Sequence, residues 1–381
     1  MIYLDHNATT PLHPQVLEAM LTCLQEHWGN PSSPHSLGNQ ARTVMQQARL
    51  GIAESLGCEP SEVVFCSSGT EADNLALRGV AGALRSRGNH IVTTAIEHHA
   101  VLHTCDALEG EGFRVTRVPV DPQGVVDLEA LERSLTDQTI LVSVMHANNE
   151  TGVLQPVEEV ARMAARREIP FHVDAVQTVG KLPFCLSELG AGLVSFSGHK
   201  LYGPRGAAAL FVRAGTPLRP ILTGGSHEHG LRAGTENLAG MVGLAKAVEL
   251  AVQDVAEEGR RLAGLRDDLE SRLLASIPEA RINGDRARRV PNTSNVTFPG
   301  VDGESIILAL DLAGICASTG SACSTGEPEP SHVLREMGVS RRDAQGSIRL
   351  SLGRETRQED LDLTVQALAE TVARLRRITS I

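Results

Sequence analysis

The chain has 381 residues, and its 35 basic against 46 acidic side chains give a formal net charge of −11. That balance argues against a nucleic acid or an anionic membrane as partner, since both are held by neutralising phosphate with Lys and Arg. Hydrophobic residues at 41% and charged residues at 21% fit a globular protein and exclude a disordered or fibrous chain. The length exceeds what one hydrophobic core supports, so two domains are expected. No apolar run approaches the roughly 18 residues of a membrane helix, and Met1 to His6 has neither the basic nor the apolar stretch of a secretory signal. Seven cysteines, at 23, 58, 66, 105, 185, 316 and 323, form no Cys-x-x-Cys. This suits a reducing cytoplasm better than a disulfide framework or a structural zinc site.

Along the chain, short β-branched runs alternate with helical patterns between about residues 60 and 215. Val63–Cys66, Ile91–Thr94, Val115–Val118, Ile140–Met145, Phe171–Val173 and Leu193–Phe196 read as buried strands, with Ala207–Val212 as a further one. Amphipathic segments such as Val157–Arg167 lie between them, so βαβ units and a mostly parallel sheet covered by helices are expected. After Gly240 the pattern changes. Val242, Ala245, Val248 and Val252, then Leu262, Leu265, Leu269 and Leu273, give long helices with apolar faces. Asn295–Phe298, Ile306–Leu310 and Ile348–Leu352 form a smaller α+β unit, closed by a helix over Asp360–Arg377. The division expected is a large domain over 16–255 and a small domain made of 1–15 with 256–381.

In open α/β sheets, ligands bind beyond the carboxyl ends of the strands. Those positions are unusually polar here. Ser67-Ser68-Gly69-Thr70-Glu71 follows the first strand and opens a helix, which reads either as an ordinary cap or as a phosphate cradle. Glu97-His98-His99-Ala100 follows the second, with His103 further on. The His99/His103 spacing could seat two metal ligands on one helix face, but the zinc-enzyme pattern lacks its Glu. A ring stacked on a flat ligand, or a proton carrier, suits one of these histidines better. Asn148-Asn149-Glu150-Thr151-Gly152 ends the fourth strand. Asp174-Ala175-Val176-Gln177 ends the fifth; Asp174 either caps the next turn or faces a cationic ligand atom, because a buried carboxylate needs one. Ser197-Gly198-His199-Lys200 ends the sixth, and apolar surroundings would free the Lys200 amine for Schiff-base chemistry. Pyridoxal phosphate uses all of these parts at once: a lysine, an acid at the ring nitrogen, an anion cradle and a stacking ring.

These residues resemble the cysteine desulfurase family, within the class V aminotransferase-like, fold type I pyridoxal-phosphate enzymes. The likeness runs from Tyr3-Leu4-Asp5-His6-Asn7-Ala8-Thr9-Thr10-Pro11 to Ser347-Ile348-Arg349-Leu350-Ser351-Leu352-Gly353-Arg354, and its most specific pieces are Ser197–Lys200, His172–Gln177 and Gly320-Ser321-Ala322-Cys323. The resemblance implies that Lys200 holds the cofactor, Asp174 pairs with its ring nitrogen and His98 stacks on the ring. Asn149 and Gln177 would bind the ring-oxygen side. Gly69, Thr70, Ser197 and His199 would hold the phosphate, with Thr235 reaching across from the second subunit of a homodimer. Arg354, together with Asn149, would bind the substrate, the guanidinium clamping its carboxylate.

Cys323 lies in the small, polar run Ser318–Gly326 and has no apolar neighbours with which to form a core. By the resemblance it is the nucleophile: its thiolate takes the sulfur of L-cysteine, with Lys200 moving the α-proton and His98 as the acid/base group, leaving L-alanine and a protein persulfide for an acceptor such as an iron–sulfur scaffold. The segment Gly224-Gly225-Ser226-His227-Glu228-His229-Gly230 departs from the family, which has a third Gly and an Arg where Ser226 and His229 stand. The chain also ends soon after its last helix, where scaffold-feeding relatives carry a longer tail. A selenocysteine lyase, an aminotransferase without need of Cys323, and a silent partner retaining the fold are the competing readings.

Overall fold

The structure, a computed structural model, describes residues 1–319 and 330–379. Twelve strands are found among them: β1 Ile2–Tyr3, β2 Val63–Cys66, β3 His90–Thr94, β4 Arg114–Val118, β5 Thr139–Met145, β6 Phe171–Asp174, β7 Leu193–Ser197, β8 Ala208–Val212, β9 Arg281–Ile282, β10 Thr293–Thr297, β11 Ile315–Cys316 and β12 Ser347–Ser351. The helices that concern the site are α1 Pro14–Glu26, α2 Ser36–Leu56, α3 Gly69–Leu84, α4 His99–Gly110, α5 Leu128–Ser134, α6 Val157–Arg166, α7 Leu238–Gln253, α8 Val255–Ser276, α9 Gly303–Leu312 and α10 His332–Glu336. A long helix over Gln358–Thr379 follows.

Seven strands form the main sheet in the order β2-β8-β7-β6-β5-β3-β4. Strands β2, β5, β6 and β7 are buried along their whole length, which only a sheet covered on both faces allows. Alternate residues serve the two faces. Val63, Phe65, Val142, Val144, Val173, Val194 and Phe196 pack with the apolar sides of α2, α6 and α7, while Val64, Cys66, Leu141 and Leu193 pack with α3 and α4. Helix α6 illustrates the local logic: Val157, Val160, Ala161 and Ala164 fall on one buried stripe, with Glu158 and Glu159 in the first turn and Arg166 in the last, as the helix dipole favours. Helix α2 stops at Gly57, whose φ of 71° needs a glycine.

The sheet register gathers the polar strand ends. Strand β8 runs antiparallel to both β2 and β7, so those two run parallel to each other on either side of it. Cys66 and Ser197 both pair with Ala208, which brings Ser67–Thr70 and Ser197–Lys200 to one edge. Asp174 lies opposite Met145 on one side and Ser195 on the other, and this fixes β6 at the centre of that edge.

A second apolar cluster joins α8, β10, β12, α9 and the last helix through Leu269, Leu273, Val296, Ile306, Ile348, Leu350 and Leu368. The three-stranded antiparallel sheet β12-β10-β9 lies in it. Leu4 belongs to the same cluster, and β1 pairs in parallel with β11. From there the chain runs past Asp5, which bridges to Ser351, towards the carboxyl edge of the large sheet.

Candidate active site

A cavity of about 380 Å³ opens at that edge. Its lining includes Gly69, Thr70, His98, Asn149, Asp174, Gln177, Ser197, His199 and Lys200, nine of the residues expected from the sequence, drawn from the ends of β2, β3, β5, β6 and β7. Asn7, Ala8, Asp73 and Arg349 line it too, and the sequence reading gave none of these a role. Thr235 is exposed and outside this lining, and Cys323 lies outside the described residues.

Lys200 follows β7 in a single 3-10 turn, Gly198–Lys200. Its Nζ donates to the carbonyls of Asn7 at 2.6 Å and Ala8 at 2.8 Å, so the N-terminal segment meets the amine directly. Asp174 is buried, and one oxygen accepts from the Val176 amide at 2.9 Å. Burial pushes its carboxyl up to about 7, and the neighbouring Asp73 carboxyl adds to the effect. This carboxylate lies beside a cavity with no protein cation paired to it among the described residues, so it suits a cationic ligand atom.

The same cavity has the makings of an anion cradle. Helix α3 opens at Gly69, its N-cap Ser68 accepting from the Glu71 amide at 3.1 Å. A Cβ at Gly69 would come within 2.9 Å of Val176 Cγ2, so the close approach requires glycine. Ser197 Oγ is buried and has no partner among the described residues. A phosphate oxygen would satisfy it.

His98 caps α4, its Nδ1 accepting from the Ala100 amide at 3.1 Å. Burial, with the Lys200 charge second, lowers its pKa to about 4, so the ring is neutral at pH 7. A neutral imidazole accepting at Nδ1 carries its proton on Nε2, which makes it a donor towards the cavity. His199 is likewise lowered to about 4 by burial. His99 stacks on His103, with ring centroids 4.8 Å apart. Among the described residues no group of three or more His, Cys, Asp and Glu is placed to hold a metal ion.

Of the expected residues, Arg354 does not line the main cavity. Arg354 lines a separate, smaller cavity behind Lys200, its guanidinium over the Tyr202 ring at 5.3 Å and its Nη2 on the Leu250 carbonyl. Arg349 is the arginine in the main cavity. Its Nη2 meets Asp5 at 2.7 Å and its Nη1 meets the Asn149 carbonyl at 3.0 Å, while its buried Nε has no partner among the described residues.

In the departing segment, Glu228 is buried and accepts from Arg49 at 2.9 and 2.6 Å and from the Phe65 amide at 2.7 Å. His229 is exposed, with a φ of 57°, and is not part of the cavity lining. Ser226 is also exposed, and His227 Nδ1 accepts from the Gly234 amide at 3.3 Å.

The chain is similar over nearly its whole length to known proteins. The chain is 48% identical over 378 residues to the cysteine desulfurase IscS of Dictyoglomus turgidum, covering 99% of this chain and 96% of the relative. It is 47% identical to the IscS of Methanosarcina thermophila, over 99% and 93% of the two chains. Among solved structures, a NifS-like protein superposes with a TM-score of 0.93 at 42% identity, covering 98% of this chain and all of that one. SspA in complex with cysteine superposes with a TM-score of 0.80 at 34% identity, over 92% and 99%. The class-V aminotransferase model matches residues 2–364, and the chain belongs to that family.

Proposed function

We propose that this protein is a pyridoxal-phosphate-dependent cysteine desulfurase, which takes sulfur from L-cysteine, releases L-alanine and keeps the sulfur as a protein persulfide. The observation that carries the reading is the meeting of Lys200, Asp174 and the Gly69/Ser197 cradle in one cavity. Relatives named cysteine desulfurase at 44–48% identity over the whole chain support it. That a neighbouring structure holds cysteine supports the substrate.

Bound pyridoxal phosphate supplies an electron sink for the bond broken at the substrate α-carbon. Lys200 would hold the cofactor through Nζ, and the same amine would be the group placed to move the α-proton. Asp174 would pair with the ring nitrogen and favour its protonated form. Gly69, Thr70, Ser197 and His199 would hold the phosphate, and Asn149 and Gln177 the ring-oxygen side. Arg349, in place of Arg354, takes the substrate carboxylate, since its Nε is unspent and Asp5 fixes its plane. His98 would donate a hydrogen bond from Nε2, and it can take the thiol proton only at Nδ1, once the ring has released the Ala100 amide; the Nε2 proton can be given up only after that. The Cys323 thiolate attacks the substrate sulfur, so an S–S bond forms as the C–S bond breaks and the carbon skeleton leaves as alanine.

The same reading takes the chain as a cytoplasmic homodimer that delivers sulfur to an acceptor protein such as an iron–sulfur scaffold, Thr235 completing the partner's phosphate site. The six cysteines within the described residues are unpaired, which suits a reducing compartment. No described helix is long and apolar enough to cross a membrane. We take 16–255 as the large domain and 1–15 with 256–381 as the small one; the second apolar cluster, which includes Leu4, supports that division.

The test is incubation of the loaded protein with L-cysteine, followed by alanine assay and mass measurement of the Cys323 peptide. One added sulfur per alanine is expected, and Cys323→Ala should stop both. Alanine release that survives Cys323→Ala unchanged would overturn the assignment, and a turnover dependent on a 2-oxo acid would favour an aminotransferase.

A further inference from the structure

Behind the cavity stands a second lysine that the mechanism does not use. Lys181 lies four residues beyond Gln177 and lines the smaller cavity, not the main one. Its Nζ donates to Gln177 Oε1 at 2.7 Å and to Asn7 Oδ1 at 2.9 Å. The other end of the Gln177 amide, Nε2, donates to the Asn7 carbonyl at 3.1 Å, the same oxygen that receives Lys200 Nζ at 2.6 Å. Asn7 is itself fully tied. Its Nδ2 donates to the Asn149 carbonyl and to Thr293 Oγ1, and its Oδ1 also accepts from Asn292.

We infer that Lys181 is a positioning residue for the cofactor: it fixes the orientation of the Gln177 amide, so that a donor and not an acceptor faces the cofactor's ring oxygen. The argument is one of hydrogen-bond capacity. A primary amide has two N–H donors on nitrogen and only acceptors on oxygen. With Oε1 turned to Lys181 and one N–H given to the Asn7 carbonyl, the second N–H is the donor Gln177 has left for a ligand in the cavity it lines. A flipped amide would set nitrogen against the Lys181 amine and oxygen against the Asn7 carbonyl, and would offer an acceptor to an oxygen ligand. Lys181 approaches from the smaller cavity and does not compete for the space the cofactor takes. Its burial pushes the amine well below the usual lysine range, and the Lys200 and Arg349 charges act in the same direction.

The inference rests on the cofactor reading above, and its test keeps the two separate. Pyridoxal phosphate binding is measured by equilibrium dialysis for the parent, Lys181→Met, Gln177→Met and the double variant, with melting of each cofactor-free protein in parallel. Lys181→Met is expected to bind about tenfold more weakly with an unchanged melting temperature. Added to Gln177→Met it should weaken binding by less than about twofold, because both changes remove one function. Lys181→Arg, which can still donate to both oxygens, should recover most of the loss. If Lys181→Met fails to fold, Lys181→Gln, a neutral donor, carries the same comparison. Unaltered binding in the folded variant, or losses that add in the double variant, would overturn the inference while leaving the cofactor reading intact. A parent that binds no pyridoxal phosphate would overturn the cofactor reading itself.

Discussion

Three carboxyls, Asp73, Glu97 and Asp174, are buried on the α3 side of the sheet edge, and burial pushes them up to about 7, 8 and 7. Glu97 gives the clearest test. Its Oε1 accepts from Thr94 Oγ1 at 2.6 Å and from the Met145 amide at 3.0 Å, and its Oε2 is buried without a partner among the described residues. The native protein therefore keeps the Glu97 proton up to about pH 8, whereas the unfolded chain loses it near the ordinary value of 4.5. Between those limits the folded state binds more protons, so this group's contribution to stability falls as pH rises. Glu97→Gln mimics the protonated form and lacks that slope. Its advantage over the parent should be absent at pH 4 and reach on the order of 5 kcal/mol by pH 8.5. The buried histidines 98, 172 and 199, lowered to about 4, oppose the trend between pH 6.5 and 4, but they are common to both proteins and cancel in the difference. Urea midpoints measured at pH 5 and 8.5 read this directly; equal gains at both values would show that Glu97 is ionised throughout.

At the scale of an element, β12 explains why Arg349, and not Arg354, lines the main cavity. Ile348 and Leu350 point into the second apolar cluster, as does Leu352 just beyond the strand. Strand alternation then turns Ser347, Arg349 and Ser351 to the opposite side, where Arg349 reaches the cavity. Arg354 lies past the strand's end, and no alternation governs it. The signal for Arg349 was thus present in the spacing of apolar residues, but a motif read as a string gives both arginines equal standing. The strands of the large sheet were legible for a simpler reason: their continuous apolar runs are what burial on two faces demands. The pairing of Cys66 and Ser197 through Ala208 was not legible, because antiparallel β8 joins segments more than 130 positions apart, and nothing local encodes that register. Asn7 was missed for the same reason, since its role depends on Gln177, Lys181 and Lys200 closing around it. If Arg349 holds the carboxylate, Arg349→Gln should raise KM for L-cysteine by about a hundredfold, the value of a lost charged bidentate contact. Arg354→Gln, which gives up packing on Tyr202, should lower stability and leave KM within about threefold. The opposite pattern would return the role to Arg354.

For the whole molecule, the outer face of α1 bears on assembly. Leu17, Leu21 and Leu24 stand 47%, 46% and 60% exposed, and Trp28, just beyond the helix, 71%. Their spacing of four, three and four residues makes one continuous stripe, opposite the side that packs on α7. A protein with a net charge of −11 has no solubility problem to solve by such a stripe, and a contiguous apolar surface of this kind usually marks a contact with another chain. Thr235 is exposed as well, near a loop held rigidly from within by the buried Arg49–Glu228 pair and by Arg232 on Glu71 at 2.8 Å. A loop so firmly braced yet presenting a hydroxyl outward suits a second copy of the chain as the recipient. Leu21→Glu with Leu24→Glu places two charges in that stripe without touching the cavity lining. The parent should sediment at twice its 40.6 kDa chain mass and the variant at the single mass. If Thr235 completes the partner's phosphate site, the separated chains should also bind pyridoxal phosphate at least tenfold more weakly, with the fold intact by circular dichroism. A variant that remains a dimer would show that the stripe serves another purpose, and a monomer with undiminished cofactor affinity would mean that each chain holds its phosphate alone.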